Sequence, residues 1–522
     1  MSLKMPSAMK KQTPLNLALA LCASLLLISP ASAGIGARFP SEKKIVPDPV
    51  TGVPLEVLTT AEGVGDSKIY QTHHQWTADG KWLIFRSSRV PGGQAMAVNE
   101  ETGEIVQVSE SGFMGMLCVA DHSMHLYFLR SVRVPGADGD VAPPPPPTPP
   151  PADGAPAGPG GRGGRGFGPR GPTEVISVDL AKLFADSAAG TLKASTEYEH
   201  VCGTIPPEVA AGDMALDPTE DYAYVRTGRD YALKHIAPDT KLEPIFGPRG
   251  MGAGPSGLIS VNLHNGEIKD IVSVPFQMGH VQTNPWMPGE IVFCWETGGK
   301  APQRTWTVMS DGSGLRPLYP EPAYDWVTHE AVITKDEVAV AILYLRTPLG
   351  ARSGGGGNRQ GGAAAQKGGA AAQKGAGQRA AAPPPTPEQA AILDQTGTDG
   401  HATGVGIVNL RTREMRIVGQ VPLGDPGRSI WHVNGSPDGR WAVADDFQYR
   451  LWIIDRHSGE MKLLADVGHV TSAQDHIHPT FNADSTKVEI ESAMGSKDGR
   501  SLHIVVVPVP QAWLDRKYPA TF

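Results

Sequence analysis

A turn of the form Ser/Thr/Asn-Pro/Ala-Asp-Gly recurs along this chain, each time leading into an apolar strand. Thr77-Ala78-Asp79-Gly80 precedes Lys81-Trp82-Leu83-Ile84-Phe85. Ser436-Pro437-Asp438-Gly439 precedes Arg440-Trp441-Ala442-Val443-Ala444, and then Leu451-Trp452-Ile453-Ile454-Asp455 and the turn Ser458-Gly459-Glu460. Asn482-Ala483-Asp484-Ser485 is a variant of the same turn before Thr486-Lys487-Val488-Glu489-Ile490. Alternating strands joined by Asp-Gly turns are hairpins. Their recurrence at a period of roughly 40 to 50 residues is the mark of propeller blades, each a sheet that buries its faces only against its neighbours.

The units count to seven, beginning near His73, Gly115, Asp213, His280, His329, His432 and His476. The expected fold is therefore all-β, a seven-bladed propeller whose circular closure protects sheet edges that a linear array would expose. Two stretches, at about 143–171 and 350–388, interrupt the second and fifth units. One runs from a proline block into Gly/Arg repeats, and the other repeats Ala-Ala-Ala-Gln-Lys-Gly between glycine and proline runs. Neither has the apolar side chains to offset the entropy of ordering its backbone, so both are expected as disordered loop insertions. Helix signals are sparse, and helical turns are expected only at 388–393 and 511–517.

Residues 1–33 have the layout of a secretory signal peptide. Lys4, Lys10 and Lys11 precede an apolar run from Leu15 to Ile28 and the small-residue site Ala31-Ser32-Ala33. The remainder, 34–522, reads as a single propeller domain, exported to the periplasm or secreted, with no stretch long and apolar enough to span a bilayer. Cys118, Cys202 and Cys294 lie too far apart for a disulfide framework or a metal finger, although one bridge is possible. The formal net charge of −8 disfavours a nucleic-acid surface.

The repeat also locates the chemistry. The residues just before each turn belong to the blade's innermost strand, which runs along the central channel. Counting back five positions from the Pro or Ala of the turn gives His73, His280, His432 and His478, with His329 near-equivalent in a diverged unit. Histidine makes up only 16 of 522 residues, so five such coincidences among seven units need a cause. One reading is bracing, in which each ring bonds a neighbouring backbone or turn. The other is a metal centre, because neutral imidazole is a common ligand and equivalent positions converge on one axis. Gln474-Asp475-His476-Ile477-His478-Pro479 is the densest group, and two histidines at i and i+2 on an extended strand point the same way.

At these residues the chain resembles the oligogalacturonate lyases, TolB-like propellers that bind a divalent metal. The resemblance rests on His73-His74-Gln75-Trp76-Thr77-Ala78-Asp79-Gly80 and on Gly279-His280-Val281-Gln282 with Ile291-Val292-Phe293-Cys294-Trp295-Glu296. It continues through Arg304-Thr305-Trp306, Asp311-Gly312-Ser313-Gly314, His329-Glu330 and His476-Ile477-His478-Pro479. It implies a metal-dependent polysaccharide lyase that cleaves short uronate oligosaccharides by β-elimination, with Mn2+ as the cofactor. His280 would be the base at C5, and His329, His476, His478 and Gln474 would hold the metal. Arg226, Arg304, His432 and His73 are the further candidates for contact with an acidic oligosaccharide. The alternative is a non-catalytic exported TolB-like propeller that binds a protein or glycan.

Overall fold

The computed structural model of the chain describes residues 34–110, 112–132, 171–245, 251–297, 301–322, 325–345, 387, 403–421, 429–467 and 477–518. These residues form seven antiparallel sheets, five of four strands and two of five. This is the expected seven-bladed propeller. The innermost strands are, in order of blades 1 to 7, Asp66–Lys68, Met114–Val119, Met214–Leu216, Met278–Thr283, Asp325–Thr334, Ile430–Gly435 and Thr480–Phe481. The segment 1–33 and most of the insertions at 143–171 and 350–388 lie outside the described residues. The strands that flank the insertions are adjacent in their sheets, His125–Ser131 beside Thr173–Asp179 and Glu337–Leu345 beside Gly404–Asn409.

The turns explain why the sequence repeats. In blade 1 the Thr77 hydroxyl donates to Oδ1 of Asp79 (2.6 Å), which also accepts the Lys81 amide (3.1 Å). Blade 6 repeats this with Ser436 to Asp438 (2.7 Å) and the Arg440 amide (3.0 Å). Gly80 and Gly439 take the left-handed φ, 68° and 78°, that the last turn position needs. Apolar faces then pack from blade to blade. Ile84 and Val106 of blade 1, for example, share a buried cluster with Leu117, Phe128 and Ile176 of blade 2.

Two features differ from the sequence expectations. The ring is closed by strands from the amino-terminal side: Pro54–Val57 pairs with His503–Pro508 in blade 7, and Lys44–Pro47 pairs in turn with Pro54–Val57. These strands carry no Asp-Gly turn, so the repeat did not reveal them. A ten-residue helix, Leu180–Ala189, also follows the third strand of blade 2. Its signals were present in the sequence. Asp179 caps it by accepting the Lys182 amide, Gly190 ends it at φ 69°, and Leu180, Leu183, Phe184 and Ser187 form one buried stripe. A shorter helix, Arg229–Ala232, was likewise unexpected, whereas Gln511–Leu514 falls in an expected place; 388–393 lies outside the described residues. Among the described residues no helix is long and apolar enough to cross a membrane.

Candidate functional site at the channel mouth

The innermost strands are interrupted at the positions picked out by the repeat. Pairing with the second strand slips between Met114 and Cys118, Gly279 and Gln282, Thr328 and Ala331, and Ile430 and Val433. Within these bulges His280 and His329 hold φ of 49° and 50°, and His478 at the mouth of blade 7 holds 47°. Gly115 takes 69° at the same place in blade 2. A left-handed backbone costs a side-chain-bearing residue about 1–2 kcal/mol, and such strain concentrates at functional sites. Bulges also re-aim side chains, which here brings the imidazoles of blades 4 to 7 together.

Those rings form an arc. The centroids of His280 and His329 are 5.9 Å apart, His329 and His432 4.2 Å, and His432 and His478 4.0 Å. In all four Nδ1 faces an oxygen, and three of them share one pattern. His329 Nδ1 meets the Trp431 carbonyl, His432 Nδ1 meets Oδ2 of Asp445 at 2.9 Å, and His478 Nδ1 meets Oε1 of Glu491 at 3.2 Å. A carbonyl can only accept, so His329 carries its proton on Nδ1 and its lone pair on Nε2. The Glu491 carboxylate favours the same tautomer at His478. Burial, reinforced by the charges of His280, Arg304 and His478, holds His329 well below the ordinary histidine range, which keeps it neutral. Burial pushes the Asp445 carboxyl well above its usual range, a cost that the backbone N–H of His432 (2.5 Å) opposes.

His280 is held differently. Its Nδ1 lies 3.1 Å from Oε1 of Glu330 and its Nε2 3.3 Å from Oε2 of Glu296. Burial disfavours its charge, but Glu330 and then Glu296 outweigh burial and raise it above the ordinary range. Arg304 completes the group at 3.4 Å from Glu330 and 3.7 Å from Glu296. Burial alone would raise Glu330, but Arg304 and His280 pull it down to about 2, so it is a fixed anion. Tyr70 floors the arc, its ring 5.0 Å from His280 and 5.1 Å from His478. Its hydroxyl is buried without a hydrogen-bond partner among the described residues, and burial raises it well above the usual phenol range.

Among the described residues one set of ligand atoms converges closely enough for a divalent cation, and the imidazole arc stands beside it as a second source of donors. The arc of His329, His432 and His478 offers imidazoles whose Nδ1 sides are already anchored, as metal-ligating histidines usually are. His280, Cys294 and Glu296 also place one ligand atom each within 4.8 Å of one another. A cation there would face the Arg304 guanidinium, 3.4 Å from His280 Nδ1, and a buried thiol that burial holds well above its usual range. That cationic neighbour and the protonated thiol disfavour a cation at this set.

The structure brings together His280, His329, His432, His478 and Arg304; Gln474 and His476 lie outside the described residues. His73 stands apart. Its Nε2 faces the Met214 carbonyl (3.2 Å) and its Nδ1 the Thr72 hydroxyl (2.8 Å), so it braces blade 1 against blade 3 and has no ring nitrogen to spare. Arg226 lies on blade 3, its backbone bonded to Asp213 and Gly212, and its side chain makes no hydrogen bond or ion pair among the described residues. Cys118, Cys202 and Cys294 are all free thiols.

Sequence reasoning missed Glu296, Glu330, Asp445, Glu491 and Tyr70 as members of the site. For two of them a signal existed. Asp445 and Glu491 each stand eight residues after the Pro or Ala of their turn, as do Arg86 and Arg226, at one repeated position of the second strand. In blades 6 and 7 that position lies behind the channel histidine of its own blade.

No protein-family profile matches the chain, and no curated protein matches it in sequence. Solved structures do. An oligogalacturonate lyase in complex with manganese superposes with a TM-score of 0.60 at 15% identity, covering 92% of this chain and 100% of the other. An oligogalacturonate lyase from Vibrio parahaemolyticus gives 0.58 at 16% identity, with the same coverage. At this identity the likeness speaks to architecture, and the chain has the propeller fold of the oligogalacturonate lyases.

Proposed function

We propose that this protein is an exported, metal-dependent lyase that cleaves short uronate-containing oligosaccharides by β-elimination. One observation carries the reading: three imidazoles anchored through Nδ1 share a channel mouth with a fourth bracketed by two carboxylates. Residues 1–33, with their signal-peptide layout, support export. The manganese complex among the structural neighbours supports Mn2+ as the ion.

His329, His432 and His478 would hold the metal, joined by His476 and Gln474 from the segment that precedes His478. His432 thus moves from the substrate to the metal on the strength of its Asp445 contact. A divalent cation held there supplies a Lewis acid that neutralises the uronate carboxylate and so acidifies the adjacent C5 proton. His280 is the base. Taking the proton produces an imidazolium, and Glu330 and Glu296 are already placed to stabilise that charge. Arg304 keeps Glu330 ionised and Glu296 in position. Arg226 is left to meet the acidic substrate, and His73 holds the blades that carry it.

The test is incubation of the metal-loaded protein with oligogalacturonate, following absorbance of the unsaturated uronate product. His280→Ala should abolish the signal while elemental analysis shows the metal retained. His478→Ala should lose metal and activity together. Full activity in His280→Ala would refute the base. Binding of glycan or protein without turnover, indifferent to chelator, would make the protein a non-catalytic binding propeller.

A further inference from the structure

An aromatic stripe runs across blade 6 from its rim to the imidazole arc. Phe447 lies in the turn between the second and third strands, Trp441–Asp446 and Arg450–Asp455, and is 44% exposed. Asp446, at the start of that turn, pairs with Ile430, so Phe447 stands beside Trp431 of the innermost strand. The rings of Phe447 and Trp431 are 4.9 Å apart, and the Trp431 ring lies 4.7 Å from that of His329. Trp431 is half-buried, and its carbonyl accepts the Nδ1 hydrogen of His329. The stripe therefore ends on an imidazole of the arc.

Phe447 is held in water by a pinned turn. Asp446 Oδ1 accepts the amides of Gln448 (2.8 Å) and Arg450 (3.2 Å), and Oδ2 accepts Arg450 Nε (2.7 Å) and Trp452 Nε1 (2.8 Å). The Tyr449 amide returns to the Asp446 carbonyl at 3.0 Å, and Tyr449 takes a left-handed φ of 61°. A lone exposed ring on a surface carries no message. One fixed in place and continuous with a second aromatic at a channel mouth marks a binding surface.

The ligand that fits such a surface is an uncharged sugar ring. The C–H face of a pyranose is apolar, and its hydrogens carry a slight positive charge that matches the negative face of an aromatic ring. A carboxylate would meet those same negative faces. It would also find the cation of the turn, Arg450, already bonded to Asp446 at 2.7 Å.

We propose that Trp431 and Phe447 form a stacking platform for a neutral sugar joined to the uronate at the arc. This rests on the reading of the arc as the site for a uronate. It changes the preferred substrate class, from a homopolymer of uronate to a mixed oligosaccharide in which a uronate has an uncharged neighbour. Phe447 is then a specificity-determining residue, and one that touches neither the metal ligands nor the base.

The experiment is calorimetric titration of the manganese-loaded, full-length His280→Ala protein, a background without turnover in which the Phe447 variants are compared. The probes are galacturonate, trigalacturonate, and a trisaccharide whose central galacturonate is flanked by two galactose units. The parent should bind the flanked trisaccharide at least as tightly as trigalacturonate. Phe447→Ala should weaken that binding about three- to tenfold, the scale of one aromatic contact, with affinity for galacturonate and the melting temperature unchanged. Phe447→Trp should restore it, and Phe447→Leu, which keeps an apolar side chain without a π face, should not. Equal affinity in Phe447→Ala and the parent, an equal loss towards galacturonate, or full affinity in Phe447→Leu would overturn the platform. So would a parent that prefers trigalacturonate or binds neither trisaccharide. Phe447-dependent binding in a protein that never produces unsaturated uronate would sink the lyase reading and leave the platform standing.

Discussion

Asp445 holds His432 from two sides, through the backbone N–H at 2.5 Å and through Nδ1 at 2.9 Å, with both side chains buried. Bonding the main chain and the ring of one residue fixes the ring's place in the arc. Asp445→Ala should therefore lower metal affinity by about 10- to 100-fold, as loss of a partner behind a ligating histidine does. Competitive chelator titration checks this. Affinity equal to wild type would remove His432 from the metal set.

The pH dependence of turnover should follow His280. A base must be neutral, and the carboxylates around this ring raise it above the ordinary histidine value of 6.5. Activity should therefore climb with pH along a limb lying above 6.5. Glu330 is the strongest of the raising influences after burial is overcome, so Glu330→Gln should move the limb to lower pH. A pH–kcat/KM profile that keeps its limb in place in Glu330→Gln would show that another group limits the rate.

His73 gives a separate, structural pH dependence. Burial is the chief cause that lowers it from 6.5 to about 4, so the folded state binds this proton less readily than the unfolded chain. Stability from this group is complete above pH 6.5 and falls as pH drops from 6.5 towards 4. The full loss is about 3 kcal/mol, from about 1.4 kcal/mol per pH unit across that window. His73→Gln should flatten this slope in denaturant melts between pH 6.5 and 4. An unchanged slope would assign the acid sensitivity to other groups.

Leu55 lies fully buried in the closing strand Pro54–Val57, in one cluster with Val443, Val488 and Val505. Leu55→Ala should cost about 2–5 kcal/mol, the usual range for a core leucine. Exposed Ile45 on the neighbouring strand serves as the control, since Ile45→Ala should cost little. Equal melting temperatures for the two variants would mean that the closure contributes nothing to stability.

What could be read from the sequence followed from repetition. The blades were legible because each must make the same turn, and Asp79 and Asp438 bond the same atoms in each. The channel histidines were legible because they keep a fixed distance from that turn. What repetition could not supply was the specific partner. Glu330 and Glu296 reach His280 from different strands, and Tyr70 enters the arc from a loop of blade 1, so no spacing links them. His73 occupies the repeated position yet spends both nitrogens on Thr72 and Met214, which only the packing of blades 1 and 3 decides. The helix Leu180–Ala189 was legible by its caps, but it follows an irregular insertion and falls outside the strand rhythm.

The pairing of Pro54–Val57 with His503–Pro508 also bears on how the molecule is made. The two partners are separated by nearly the whole chain, so the last blade cannot be completed until synthesis has delivered its final strand. Contacts of such long sequence separation form late and slowly, because the loop entropy is spent before any burial is gained. Until then the edge of His503–Pro508 and the apolar side of Pro54–Val57 stand open, and a crowded, half-made ring is the state most exposed to mispairing with another chain.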